Sequence, residues 1–192
     1  MSPAAEALAT PRDRVIEVVR ARGLRRLDEP VQLASGEMSR DFIDAKAALS
    51  RGADLELACR ALLASCESIA FDAVGGLTMG ADQFAHVMAV LAGCEWFVVR
   101  KAPKGRGTDK LVEGAPIGPG SRVLLVDDVV TTGGSIQQAH QVITALGATV
   151  VAATTLVDRG EVAARFFEEQ AIAYFPLVTY RHLGIEAVGE PA

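Results

Sequence analysis

The chain has 192 residues, of which 50% are hydrophobic and 22% charged, with a formal net charge of −5. A mean hydropathy of +0.26 suits a globular chain with a sizeable core and excludes a disordered one, while the acidic balance argues against general nucleic-acid binding. No apolar run is long enough to span a bilayer, and the opening MSPAAEALATPRDRVIEVV lacks the basic and unbroken apolar regions of a signal peptide.

In chain order, Thr10 reads as an N-cap with Pro11 at the first helical position, and Gly23 closes the helix. Val31–Leu33 and Phe42–Asp44 read as short strands around a turn over Ser35–Arg40. Ala53 to Ser68 has helical spacing; Ala73–Val74 then runs into GGLTMG, and Ala81–Leu91 is a second apolar helix. Trp96–Val99 reads as a strand, and Lys101–Gly114, nearly devoid of apolar residues, as a long loop. From Arg122 onward the pattern is strand, helix, strand (Thr149–Val157), helix (Glu161–Gln170), strand (Ile172–Val178). Such alternation predicts a doubly wound α/β domain with a mostly parallel sheet. Cys59, Cys66 and Cys94 have no paired metal-ligand spacing and suit a reducing cytoplasm.

The most informative stretch is VLLVDDVVTTGGS, Val123 to Ser135. Four apolar residues suit a strand buried on both faces, and Asp127 and Asp128 follow where that strand should emerge. Thr131, Thr132, Gly133, Gly134 and Ser135 then open a helix, IQQAHQVITAL. A strand, a loop of small hydroxyl residues and a helix N-terminus make a cradle for an anion. The adjacent acids add a grip on hydroxyls, on a cation, or on developing positive charge, and a phosphorylated sugar meets all three. The loop is neither a Walker A sequence nor GxGxxG. An ordinary βα turn is the plain alternative for TTGG alone.

Arg100, Lys101, Lys104, Arg106 and Lys110 form a second constellation. A solvated surface loop explains most charge runs, but beside a phosphate cradle these cations suit a polyanionic leaving group. VGGLTMGAD (Val74–Asp82) offers further N–H donors or close packing at its glycines, and VDRGE (Val157–Glu161) offers Arg159 for a carboxylate. Asp158 and Arg159 could instead cap the next helix and pair with each other.

The string around Asp127 resembles the phosphoribosyl diphosphate (PRPP) motif of type I phosphoribosyltransferases. That resemblance implies that the segment from Val129 and Val130 through Thr131, Thr132, Gly133, Gly134 and Ser135 holds the 5-phosphate, with Asp127 and Asp128 on the ribose hydroxyls. RKAPKGRG narrows it to the orotate phosphoribosyltransferase family, which carries a pattern like RKxxKxHG on a flexible loop closing over the neighbouring subunit's site. Arg100, Lys101 and Lys104 match; Arg106 replaces the histidine, keeping charge but unable to shuttle protons near neutrality. In LASGEMSRDFIDAK, matches at Ser35, Gly36, Ser39, Phe42 and Asp44 imply a base pocket touched by Phe42 and Ile43, with Ala34 where some members have lysine and Lys46 a nearby charge. Thr78 and Met79 are implied on the diphosphate, and Arg159 with Thr131 on orotate.

The resemblance implies a type I phosphoribosyltransferase-like α/β fold, a mostly parallel sheet flanked by helices with a small N-terminal hood. We expect one domain over 1–192, with helix and hood in 1–50 and the core in 70–180. The implied reaction joins orotate and PRPP to give orotidine 5-phosphate and diphosphate in pyrimidine synthesis, with Asp127, Asp128, Lys104 and Arg106 as catalytic residues. Mg²⁺ is expected on PRPP without direct protein ligands. A cytoplasmic homodimer with shared sites is expected, with neither nucleic acid nor membrane as partner. The alternatives are a phosphoribosyltransferase for another base, or a regulator that binds PRPP or nucleotide without turnover.

Overall fold

The computed structural model describes residues 9–33, 36–102 and 110–189. Thr10 caps helix α1 (Pro11–Val18): its hydroxyl accepts from the Asp13 N–H at 3.2 Å, and Asp13 accepts from the Thr10 N–H at 2.9 Å. This reciprocal cap satisfies donors that a helix start leaves open. A π-helical stretch, Val19–Gly23, extends α1 and leads directly into β1 (Leu24–Gln32), which pairs antiparallel with β2 (Met38–Ile43). The two strands form the hood.

Both hood strands outrun the sequence prediction, and Ser39 and Arg40 belong to β2 instead of the turn. The reason is polarity. β1 reads LRRLDEPVQ and is exposed along most of its length, so it shows no period-2 signal. Its register shifts between Arg26 and Val31, around Pro30, where a proline does least harm to a ladder.

After two helices, α2 (Ala45–Ala48) and α3 (Gly52–Ser65), the main sheet begins. Its elements are β3 (Ala73–Leu77), α4 (Asp82–Ala92), β4 (Glu95–Val99), β5 (Val112–Gly114), β6 (Arg122–Val130), α5 (Gly134–Ala145), β7 (Thr149–Asp158), α6 (Val162–Glu169) and β8 (Ala173–Thr179). A short helix, α7 (Tyr180–Leu183), follows. The strand order is β5-β4-β3-β6-β7-β8, parallel throughout except for β5. β5 falls inside the stretch expected to be loop; an edge strand of three residues leaves little pattern to read.

Both faces of this sheet are covered, and β6 shows how. Leu124 and Val126 pack in a cluster with Val15, Leu62, Phe84 and Met88, on the side of α1, α3 and α4. Val123 and Leu125 alternate to the opposite cluster, with Ile136, Ile143, Ala163 and Phe167 of α5 and α6. Burial on both faces is why the strand reads as a continuous apolar run. Gly75 and Gly76 in β3 have packing roles, since a β-carbon at Gly75 would come 2.1 Å from the Phe97 carbonyl oxygen, and one at Gly76 the same distance from that of Val126.

One consequence of topology positions the site. From β3 the chain crosses through α4 to β4 on one side; from β6 it winds through α5 and α6 to β7 and β8 on the other. The winding direction therefore reverses between β3 and β6, so their loops diverge and leave a crevice at the carboxyl ends of the strands. Asp127 and Asp128 stand at that crevice. No helix among the described residues is long and apolar enough to cross a membrane.

Candidate active site

The sequence predicts that the acids follow the strand, but β6 continues through both. Its ladder with β7 extends to Val129–Val157 and Val130–Asp158, fixing Asp127 and Asp128 within paired backbone. Thr155 on β7 reinforces this from below, its hydroxyl donating to the Asp127 carbonyl at 3.1 Å. Each acid folds back on its own chain: the Asp128 N–H donates to Asp127 Oδ1 at 2.9 Å, and the Val129 N–H to Asp128 Oδ1 at 2.7 Å.

Across the crevice lies Gly80, in the loop between β3 and α4. A β-carbon there would stand 2.6 Å from Asp127 Oδ1 and 2.7 Å from Asp128 Oδ1. This glycine lets backbone seat directly against the acid pair. Thr78 and Met79 sit beside it at the end of β3, Thr78 donating its N–H to the Val99 carbonyl at 2.8 Å and Met79 exposed. Neither lines the cleft over the acids; Gly80 is the residue of that loop that meets them.

The cleft itself has a volume of about 460 Å³ and is lined by Leu77, Lys101, Asp127, Val129, Val130, Thr131, Thr132, Gly133, Gly134, Ser135 and Gln138. Gly133 precedes α5 with φ of +76° and no side chain caps the helix, so its first-turn N–H groups face outward unclaimed by a cap. That left-handed turn is the reason a glycine stands there. Lys101 reaches the cleft, and its carbonyl accepts from Gln138 Nε2 of α5 at 3.2 Å. Arg100 does not line it; its guanidinium lies 3.9 Å from Glu113 on β5. Lys104, Arg106 and Ser35 lie outside the described residues.

Arg159 occupies the adjoining space. Its N–H donates to the Val130 carbonyl at 2.8 Å, so its backbone borders the phosphate-type loop. Its guanidinium, almost wholly buried, crosses to the hood and donates through Nη1 to the Asp41 carbonyl at 2.7 Å and through Nη2 to Ser39 Oγ at 3.4 Å. Nε is buried with no hydrogen-bond partner among the described residues. Burial draws its pKa below the usual guanidinium value, with Asp41 and Glu37 acting in the opposite sense. Asp158 does not pair with Arg159 but accepts from the Gly160 N–H at 3.1 Å. On β2 the alternation turns Phe42 outward, while the Ile43 side chain joins the core; only the backbone of Ile43 is left for a ligand.

Lys46, read from the sequence only as a charge near the base pocket, is brought by the fold to the acid pair. From α2 it donates through Nζ to Asp128 Oδ2 at 2.9 Å. No spacing marks it in the sequence, because the contact joins the hood side of the chain to β6 across the fold. The histidines stand apart: His86 packs edge-on to Trp96, His140 on Phe166, and His182 Nδ1 accepts from the Thr179 N–H.

Burial pushes the Asp127 carboxyl up to about 7, the neighbouring Asp128 charge adds to the effect, and the Asp128 N–H, Lys46 and Lys101 oppose it. In the unfolded chain the group ionises near the ordinary carboxylate value of 3.8. Between these limits rising pH strips the proton from the unfolded chain but not from the folded one, so stability falls. Above about pH 7 the full penalty, up to about 4 kcal/mol, is present. Asp127→Asn should therefore melt at a higher temperature than wild type at pH 8 and at the same temperature near pH 4. A difference in melting temperature that does not change with pH would contradict the assignment of a buried, charge-strained carboxyl.

The phosphoribosyl transferase domain family matches residues 48–166. The orotate phosphoribosyltransferase of Pyrococcus abyssi is 36% identical over 159 residues, covering 82% of this chain and 86% of that protein. Among solved structures, the Mycobacterium tuberculosis orotate phosphoribosyltransferase in complex with PRPP superposes with a TM-score of 0.76 at 31% identity, covering 92% of this chain and 100% of that one. The orotate phosphoribosyltransferase of Aeropyrum pernix gives a TM-score of 0.75, also at 31% identity, over 88% of this chain and 95% of that one. The chain belongs to the phosphoribosyl transferase domain family and, within it, to the orotate phosphoribosyltransferases.

Proposed function

We propose that the protein transfers the 5-phosphoribosyl group of PRPP to a ring nitrogen of orotate, releasing diphosphate and forming orotidine 5-phosphate for pyrimidine synthesis. The observation that carries this reading is a cleft shared by an uncapped helix start and Asp127, with Asp128 next in the strand and the Arg159 backbone bonded to Val130 of its lining. The 5-phosphate would accept from the N–H and hydroxyl groups of Thr131, Thr132, Gly133, Gly134 and Ser135. Asp127 and Asp128 would accept from the ribose hydroxyls and favour the positive charge that builds on the sugar as the bond to diphosphate breaks.

Cations would receive the departing diphosphate, with Lys101 already at the cleft, Arg100 immediately before it, and Lys104 and Arg106 on the segment that follows. Thr78 and Met79 would meet it from the end of β3. Arg159 and Thr131 would orient orotate, with Phe42 and the backbone of Ile43 beside the ring. A planar guanidinium suits a carboxylate, and its unpaired Nε leaves a donor to offer.

Mg²⁺ would arrive on the diphosphate, whose oxygens and retained waters supply its ligands and whose charge it neutralises. The hydroxyls, backbone N–H groups and lysine of the cleft suit phosphate oxygens, while the Asp127 and Asp128 carboxylates are already met by the N–H groups of Asp128 and Val129 and by Lys46. Resemblance to the family further supports a cytoplasmic homodimer in which each basic loop serves the partner's site.

The direct test is PRPP-dependent loss of orotate absorbance by the purified protein. Uracil, hypoxanthine and adenine should give none, and turnover of one of them in place of orotate would overturn the choice of base. Arg159→Ala should raise KM for orotate at least about tenfold, the loss of one charge-assisted pair, with KM for PRPP little changed; equal increases would remove its assignment. Inactive Lys104→Ala and Asp128→Asn chains, once mixed, should regain part of the activity, and persistent inactivity would refute the shared site.

A further inference from the structure

Within the acid pair the two carboxylates are not equally supported. Asp127 is held by backbone alone, whereas Asp128 has a cation on it from a distant part of the chain, Lys46 Nζ at 2.9 Å. The lysine is itself anchored. Asp44 Oδ1 accepts from the Ala47 N–H at 2.9 Å and caps α2, Ala45 and Ala48 are buried, and the Asp44 N–H donates to the Gly23 carbonyl at 2.9 Å. With Val129 N–H on Oδ1 and Lys46 on Oδ2, both oxygens of Asp128 are fixed in direction. Each keeps a lone pair for a further donor.

We propose that Lys46 is a positioning residue of the PRPP site, orienting the Asp128 carboxylate toward the sugar and offsetting the like charge of Asp127. This rests on the reading of the crevice as a PRPP site and deepens it. The bridge differs from an exposed ion pair, because the Asp128 side chain is only 17% exposed although that of Lys46 is 55% exposed. Screening by water is therefore weak at the end that matters. Lys46 also links the hood to the sugar acids, so the element carrying the base-side strand and the element carrying the ribose grip are tied by one bond.

The charged and titratable groups facing the pair are Lys46 from α2, Lys101 beyond β4 and Tyr174 from β8. Removal of Lys46 leaves Lys101 as the one cation opposing the repulsion between the acids among these groups. Asp127, whose carboxyl already sits near 7, would then take up its proton at higher pH. The loss of ligand binding on the acid side should move in the same direction.

The experiment is calorimetric titration of PRPP with Mg²⁺, without any base, into wild type, Lys46→Met and Lys46→Arg between pH 6 and pH 9. Lys46→Met keeps the stem of the side chain and removes the charge, and its melting temperature shows that it folds. It should bind PRPP about tenfold more weakly, the scale of one partly shielded charge pair, and the acid limb of its binding curve should shift to higher pH. Lys46→Arg should restore both. Wild-type affinity with an unmoved acid limb in Lys46→Met, or a Lys46→Arg protein as weak as Lys46→Met, would overturn the inference and leave the PRPP site standing. Failure of wild type itself to bind PRPP would overturn both. The readout needs no orotate, so a different acceptor base would leave it unchanged.

Discussion

Two neighbouring carboxylates at the buried end of one strand repel each other, and the surrounding structure is arranged around that repulsion. Asp127 lies almost wholly out of water, where a lone charge is expensive. The ladder from β6 to β7 keeps both acids from moving apart, and the Gly80 backbone closes on them from the other side of the crevice. What opposes the repulsion in the free protein is modest: an N–H on each acid, Lys46, and Lys101 at a distance. A ligand that brings hydroxyl donors and gathers positive charge at its reacting carbon relieves the strain. On the proposed reading, such a site would bind the charge-separated sugar better than the resting one, which is the condition for catalysis.

Topology explains why the pair sits where it can be used. The winding reversal between β3 and β6 opens a crevice, and the α5 start faces it with no side-chain cap among the described residues. Arg159 joins this crevice to the hood, with its backbone on Val130 and its guanidinium on Ser39 and Asp41. The last described stretch adds a second tie: the Val188 N–H donates to the Arg159 carbonyl at 2.8 Å, and the Gly189 N–H to Glu37 Oε2 at 2.8 Å. The β6–α5 loop, the acid pair and the hood are thus one connected unit.

The sheet was legible because its strands are buried on both faces and its helices are amphipathic, which leaves continuous apolar runs alternating with a period near 3.6. The loop from Thr131 to Ser135 was legible as the turn into a helix, because a glycine is needed where Gly133 takes a positive φ before α5. The hood was read only in part, since β1 is polar on both faces and its register shifts at Pro30. β5 was hidden by its three-residue length. Gly80 and Thr155 escaped, and Lys46 was read only as a charge near the base, because their roles depend on contacts between distant segments. Arg100 was grouped with the phosphate cations by its neighbours in sequence, and its guanidinium stands 3.9 Å from Glu113.

The central claim is that the β6–α5 loop grips a sugar phosphate while Asp127 and Asp128 face the sugar. A crystal structure of the protein with PRPP and Mg²⁺ tests it most directly. The account predicts the 5-phosphate within hydrogen-bond distance of the N–H groups of Thr131 to Ser135, and the ribose hydroxyls on the two carboxylates. PRPP bound away from this crevice, or bound there with its hydroxyls turned from both acids, would contradict it.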